Sequence, residues 1–237
     1  MIVIDRVCKS KSRTPILREV SFEARPGRVT GFLGPNGAGK TSTLRVLLGL
    51  DRAASGTALV NGRPYAGWPR PLTTVGAALD GSGAHRSRSA HAHLRWVATS
   101  NGLPRTRVDE VLDLVGLTGD AGKRAGRFSL GMSRRLGLAA ALLGDPPILV
   151  LDEPVNGLDP AGIRWMRDFL RASAAEGRTV LLSSHLMGEL AEIADDVVVI
   201  DKGSVVARGT LAEVTGEHST LEDAFFALTG EMERPWS

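Results

Sequence analysis

The chain has 237 residues, 43% of them hydrophobic and 23% charged, with 29 Lys and Arg against 26 Asp and Glu. That is a soluble globular composition with enough length for one domain, with or without a subdomain, and a real core. A net charge of +3 does not by itself argue for a nucleic-acid partner, and the single cysteine, Cys8, excludes an internal disulfide framework and a multi-cysteine zinc site.

In chain order, Ile2 to Val7 alternates apolar and polar and predicts a strand with one exposed face. Cys8 follows in the same apolar-leaning stretch and is expected to be buried. Met1 to Asp5 lacks a basic region and an apolar core, so no signal peptide is read and a cytosolic location is expected. Val20 to Phe22 predicts a second strand, Arg25-Pro-Gly27 a turn, and Val29 to Leu33 a third, more buried strand. A helix is predicted over Thr43 to Gly49, with Leu44, Leu47 and Leu48 on one face. Asn61-Gly62 marks a hairpin turn, and Val75 to Leu79 is another strand.

The pattern changes near Asp80. Residues 81 to 89 read as a small, polar, basic loop, and from about Ala90 to Leu143 the spacing is helical. Val108, Val111, Leu112 and Val115 share one helix face, which Gly116 closes. Ile148 to Leu151 is an all-apolar run of the kind a parallel strand shows when both faces are covered. A helix over Ala161 to Ala175, a strand over Thr179 to Leu182 and a hairpin around Asp201-Lys-Gly203 complete the pattern. Strands alternating with helices predict an α/β core with a largely parallel sheet. Its expected boundaries are about 1–79 and 146–237 for the core and 80–145 for an inserted helical subdomain. No run approaches the ~18–20 apolar residues of a membrane span.

Gly34-Pro35-Asn36-Gly37-Ala38-Gly39-Lys40-Thr41-Ser42 matches the phosphate-binding loop in full, with a strand before it and a helix after it. Glycines let backbone N–H groups turn toward a phosphate, and the following helix directs its positive end there. Lys40 adds a cation between the β- and γ-phosphates, and Thr41 offers a hydroxyl to Mg²⁺. A second metal arm and a group to position water are also needed. Asp152 and Glu153 end an apolar strand and supply both, Asp152 through a metal-bound water and Glu153 as general base.

At this point the sequence resembles the ATPase subunit of an ABC transporter over nearly its whole length. Phe128-Ser129-Leu130-Gly131-Met132 resembles the family signature, Asn156-Gly-Leu-Asp159 its D-loop, and Ser184-His185 its switch histidine. The Ser-Leu-Gly-Met wording and the chain end, Leu221 to Gly230, are similar to the subfamily paired with ABC-2 type permeases, many of them exporters. The resemblance implies a P-loop NTPase fold with a RecA-like, mostly parallel core, an N-terminal antiparallel β part and a helical insert. It implies ATP and Mg²⁺, and a homodimer or a pair with a paralogous ATPase. It also implies a separate permease, a peripheral position on the inner membrane face, and no nucleic acid. Each ATP would lie between the phosphate loop of one subunit and Ser129, Leu130, Gly131 and Met132 of the other. His185 would contact the γ-phosphate and the attacking water.

Three positions depart from the family pattern. Asp80 stands where Gln or Glu is usual, and its shorter carboxylate is expected still to serve Mg²⁺ or permease coupling. Leu130 and Met132 replace Gly and Gln, while Ser129 and Gly131 are retained. The adenine-stacking aromatic expected near residue 11 is absent, Lys11 lies there, and weak discrimination between ATP and GTP is expected. The alternatives are a soluble ABC-type ATPase acting on ribosomes or DNA, and a regulatory or resistance module that hydrolyses nucleotide poorly. His85, His91 and His93 lack the companions of a tetrahedral site, and Trp96, Trp165 and Met166 read as core or subunit packing. Arg134 is a candidate support for the opposing subunit's nucleotide.

Overall fold

The structure is a computed structural model that describes residues 1–79 and 82–230. Its elements begin with β1 (Ile2–Lys11), β2 (Thr14–Ala24), β3 (Val29–Leu33), α1 (Lys40–Leu47), β4 (Ser55–Val60) and β5 (Val75–Ala78). Next come α2 (Ala90–Ser100), α3 (Thr106–Leu114), α4 (Leu130–Leu142), β6 (Ile148–Asp152) and α5 (Pro160–Ala175). The chain then forms β7 (Thr179–Ser184), α6 (Met187–Ala191), β8 (Asp196–Asp201), β9 (Ser204–Thr210), α7 (Leu211–Thr215) and α8 (Leu221–Thr229). They divide into two compact units, one of residues 1–67 and 170–237, the other of residues 68–169.

In the first unit β2, β1 and β4 form an antiparallel sheet in that order. Its strands are longer than alternation predicts. The register shifts between Ile4 and Val7, where Arg6 adopts φ 45°, and again between Val7 and Lys9, where Glu19 of β2 has φ 50°. These irregularities break the period-two pattern without ending the strands. A second sheet places β7, β3, β8 and β9 side by side. β3 pairs in parallel with both β7 and β8, and β8 pairs antiparallel with β9. All five residues of β3 and all six of β7 are buried, as strands covered on both faces require. Phe22 of the antiparallel sheet meets Phe32 of β3 with ring centroids 4.9 Å apart. Each buried ring contributes about 1.5–3 kcal/mol relative to exposure.

In the second unit β5 and β6 pair in parallel, Val75 with Ile148 through Ala78 with Leu151, and α2, α3 and α4 lie between them in sequence. Val108, Val111 and Leu112 form the buried face of α3, as their spacing predicts. Ser89 caps α2 by accepting from the Ala92 N–H at 3.2 Å, worth about 1 kcal/mol. The loop before α2 is fastened by backbone bonds from Ala125 to Arg88 and from Gly126 to Arg86.

Candidate functional site

The first unit carries the phosphate loop. The loop leaves the buried strand β3 and turns at Pro35, whose carbonyl accepts from Ala38 N–H at 3.1 Å. The helix starts at Lys40, earlier than Thr43, because Gly39 adopts φ +114° and ends the loop there. A side chain at Gly39 would be strained by that φ and would press on Leu17, 2.6 Å from the first added carbon. Gly39 has no side chain to cap α1, so the helix presents its N-terminus through backbone alone. The Lys40 ammonium is buried and donates to the Gly34 carbonyl at 2.6 Å and to Pro35 at 3.4 Å. Thr41 is exposed and Ser42 half-buried on the first turn, with Asn36 and Gly37 exposed ahead of them. Thr43 ties the turn by bonding the Gly39 carbonyl through its hydroxyl at 3.0 Å.

A buttress behind the loop lay outside the motif. The β8–β9 turn donates from Gly203 N–H to the Ala38 carbonyl at 3.0 Å, and the Gly203 carbonyl accepts from Arg18 N–H at 2.8 Å. Sequence shows only a hairpin at Asp201-Lys-Gly203, with nothing to say what it leans on. His185 belongs to the same unit and lies beside the loop by register. Leu33 pairs with Ser184, so Gly34 and His185 leave adjacent parallel strands at the same level. That carboxyl end of a parallel sheet is where ligands gather in open α/β folds. Ser184 shapes the turn through its hydroxyl, which accepts from Leu186 N–H at 3.0 Å.

The second unit holds the carboxylates and the signature. Asp152 ends β6 at 5% exposure, and Glu153 follows, half-buried at φ 50°. A non-glycine residue there carries about 1–2 kcal/mol of local strain, a common feature of functional positions. Two turns follow, Asn156 N–H to the Glu153 carbonyl and Leu158 N–H to the Val155 carbonyl, both at 3.2 Å. Asp159 then accepts from Gly162 N–H at 2.8 Å and so caps α5, while Asn156 is exposed. Ser129 is the N-cap of α4, its hydroxyl accepting from Met132 N–H at 3.2 Å. Leu130 is 57% exposed, and Gly131 and Met132 are half-buried on that first turn. Asp80 lies outside the described residues.

Arg134 does not extend from the signature turn. It reaches back along its own unit, donating to the Leu79 carbonyl at 3.0 Å and lining a small cavity with Asp152 and Leu138. Trp96 is not core packing, since it is 54% exposed beneath the Arg88 guanidinium, 4.8 Å from the ring centroid. Trp165 is half-buried, stacked on Phe169 and under Arg135, while Met166 is buried as expected. Cys8 is half-buried rather than buried, because the irregular β1 turns its sulfur to accept from Glu19 N–H at 3.3 Å.

Asp51 and His93 are among the titrating groups displaced from their ordinary values. Hydrogen bonds from Arg45 and Lys9 lower the Asp51 carboxyl to about 2. Burial, then the nearby Arg88 charge, lowers His93. His85 is exposed and His91 stands 3.6 Å from Asp109, so the three histidines do not share one environment.

A phosphate loop at the head of a helix, emerging from a buried parallel strand, defines an α/β nucleotide-binding ATPase of the P-loop class. A family profile described as "ABC transporter" matches residues 17–156. The chain belongs to the ABC transporter family, as an ATP-binding and ATP-hydrolysing subunit. The uncharacterized ABC transporter ATP-binding protein YhcH of Bacillus subtilis is 37% identical over 95% of this chain and 74% of its own length. The lantibiotic transport ATP-binding protein SrtF of Streptococcus pyogenes is 35% identical over 87% of this chain and 89% of its own. The bacitracin transport ATP-binding protein BcrA of Bacillus licheniformis is 39% identical over 79% of this chain and 62% of its own. Among solved structures, an "ATP binding subunit of ABC transporter" superposes with TM-score 0.87 at 24% identity, covering 96% of this chain and 99% of that one. The ADP- and phosphate-bound dimeric cassette MJ0796 superposes at 0.79 with 18% identity, covering 89% and 98%. Those two show the shared fold. Among the described residues no helix is long and apolar enough to cross a membrane.

Proposed function

We propose that this subunit powers a separate ABC-2 type permease that exports cargo of the peptide-antibiotic class, from the inner face of the cell membrane. The reading is carried by 35–39% identity to ATP-binding proteins named for lantibiotic and bacitracin transport. It works as a dimer with a second copy or a paralogous subunit, and nucleic acid has no part in it. ATP binds with its phosphates in the loop from Gly34 to Ser42. Lys40 balances charge at the β- and γ-phosphates. The Thr41 hydroxyl, the Asp152 carboxylate and Asp80 would supply hard-oxygen donors. That set suits Mg²⁺, which keeps several waters and shares ligands with phosphate. Mg²⁺ bound there would neutralise charge developing on the phosphates. Glu153 takes a proton from the attacking water, and His185 orients that water against the γ-phosphate. Ser129 and the Gly131 N–H, with Leu130 and Met132 flanking them, meet the γ-phosphate of the opposing subunit, so ATP closes the dimer and its hydrolysis loosens it. Asn156 and Asp159 serve as the D-loop in this reading.

The test is affinity purification of the tagged chain from detergent-solubilised native membranes. A polytopic membrane protein is expected to co-purify. Recovery with ribosomes, with nucleic acid or alone would remove transport from the reading while leaving the ATPase.

A further inference from the structure

We propose that the signature turn and the segment after Glu153 are interlocked by two leucines, so that they shift as one piece and carry the state of one ATP site to the other. The observation is a reciprocal packing within the second unit. Leu130 lies across Gly157: a carbon added at Gly157 would overlap Leu130 Cδ2 and come within 2.8 Å of its Cγ. Leu158 in turn lies over Gly131, its Cδ2 3.4 Å from a carbon added there. Each leucine thus fills the slot left by the other segment's glycine. Gly157 also needs φ +78°, a conformation other residues enter only under strain.

The interlock joins two short, braced stretches. On one side, Ser129 caps α4, and Leu130 is the first residue of that helix. On the other side, consecutive turns run from Glu153 to Asp159, which is fixed to α5 through Gly162. Packed segments tend to switch between discrete arrangements instead of deforming smoothly. A shift of the α4 N-terminus therefore displaces Gly157 and, through the two turns, the backbone that holds Glu153. Leu130 acts here as a positioning residue.

The inference rests on the proposed roles of Ser129 and Glu153. Those roles put the signature of one subunit on its partner's ATP, while Glu153 serves the subunit's own. The leucine pair then gives each site a mechanical report of the other.

A double-mutant cycle on the full chain tests it, with steady-state ATPase, ATP affinity and melting temperature measured for each variant. Leu130→Gly is expected to lower kcat about fivefold, with ATP Kd within about twofold of the parent and little change in melting temperature. Leu130→Met, which keeps the bulk over Gly157, is expected to retain kcat within about twofold. Gly157→Ala is expected to lower kcat about tenfold, and adding Leu130→Gly to recover at least about threefold of that loss by clearing the overlap. A double variant no faster than Gly157→Ala alone overturns the interlock. So does Leu130→Gly with parental kcat, or a kcat loss that merely follows the melting temperature. Should Gly157→Ala not fold, the contrast between Leu130→Gly and Leu130→Met decides. Failure of the underlying roles reads differently, as normal turnover by Glu153→Gln.

Discussion

Two helix N-termini hold the phosphates in the proposed mechanism, and they are built in opposite ways. The α1 terminus follows a glycine in the left-handed region and has no side-chain cap, so its first turn is presented by backbone alone. The α4 terminus is already capped, because the Ser129 hydroxyl accepts from Met132 N–H. An uncapped terminus can turn its backbone N–H groups toward an anion. A capped one has spent part of that capacity and offers an anion chiefly the serine O–H. The first design suits firm binding of a nucleotide's phosphates. The second suits a contact that is made and broken in each cycle.

Removing the cation of the strong terminus has the largest expected effect. Lys40→Ala is expected to lower kcat/KM for ATP at least about 100-fold, in a coupled-enzyme assay. A loss under about threefold would break the contrast, since the weaker terminus would then carry the phosphate. Ser129→Ala sharpens it from the other side. It is expected to lower kcat about tenfold, weaken ATP-driven pairing of subunits, leave the ATP affinity of the separated subunit unchanged, and cost α4 about 1 kcal/mol as a lost cap. A matching drop in the separated subunit's affinity would place Ser129 at its own subunit's nucleotide.

Lys11 ends β1 where a stacking ring is usual, and Phe22, the first aromatic, is buried on Phe32. Aromatic stacking adds about 0.5–1.5 kcal/mol, so kcat/KM for ATP and GTP is expected to agree within about threefold. A strong ATP preference would show another group reading the base.

The smallest effect is on stability in acid. His93 is buried on α2 with the Arg88 charge nearby. Its folded pKa is lowered below the ordinary 6.5. The folded state therefore resists protonation, so its contribution is complete above that value and declines as pH falls below it. The melting temperature is expected to fall between pH 7.5 and 5.5, and to fall less in His93→Phe. Equal falls in both proteins would assign the loss to other groups.

How much of this could be read in the sequence depended on whether the cause was local. β3 matches its predicted bounds because a short, fully buried run that ends directly in a glycine loop has few other homes. The phosphate loop was legible for the same reason, since its glycines and lysine are contiguous. The start of α1 was misplaced because the turn from Lys40 to Ser42 lacks apolar periodicity and is set by the Gly39 backbone. β1 and β2 were read short because backbone irregularities at Arg6 and Glu19 interrupt their alternation. The spacing reads Trp96 as core or subunit packing, and it is the core half of that reading that fails, because Arg88 lies over the ring at the surface. The Gly203 bond to the loop and the Leu130–Gly157 contact join segments far apart in the chain, and nothing in either segment alone announces them.

The central claim is that binding and hydrolysis are separate tasks, held by the loop around Lys40 and by Glu153. Glu153→Gln, measured for ATP affinity and Mg·ATP turnover on one preparation, tests it most directly. The account predicts affinity at least equal to the parent and turnover reduced by about 100-fold or more. Turnover within about threefold of the parent would contradict it and place the base elsewhere.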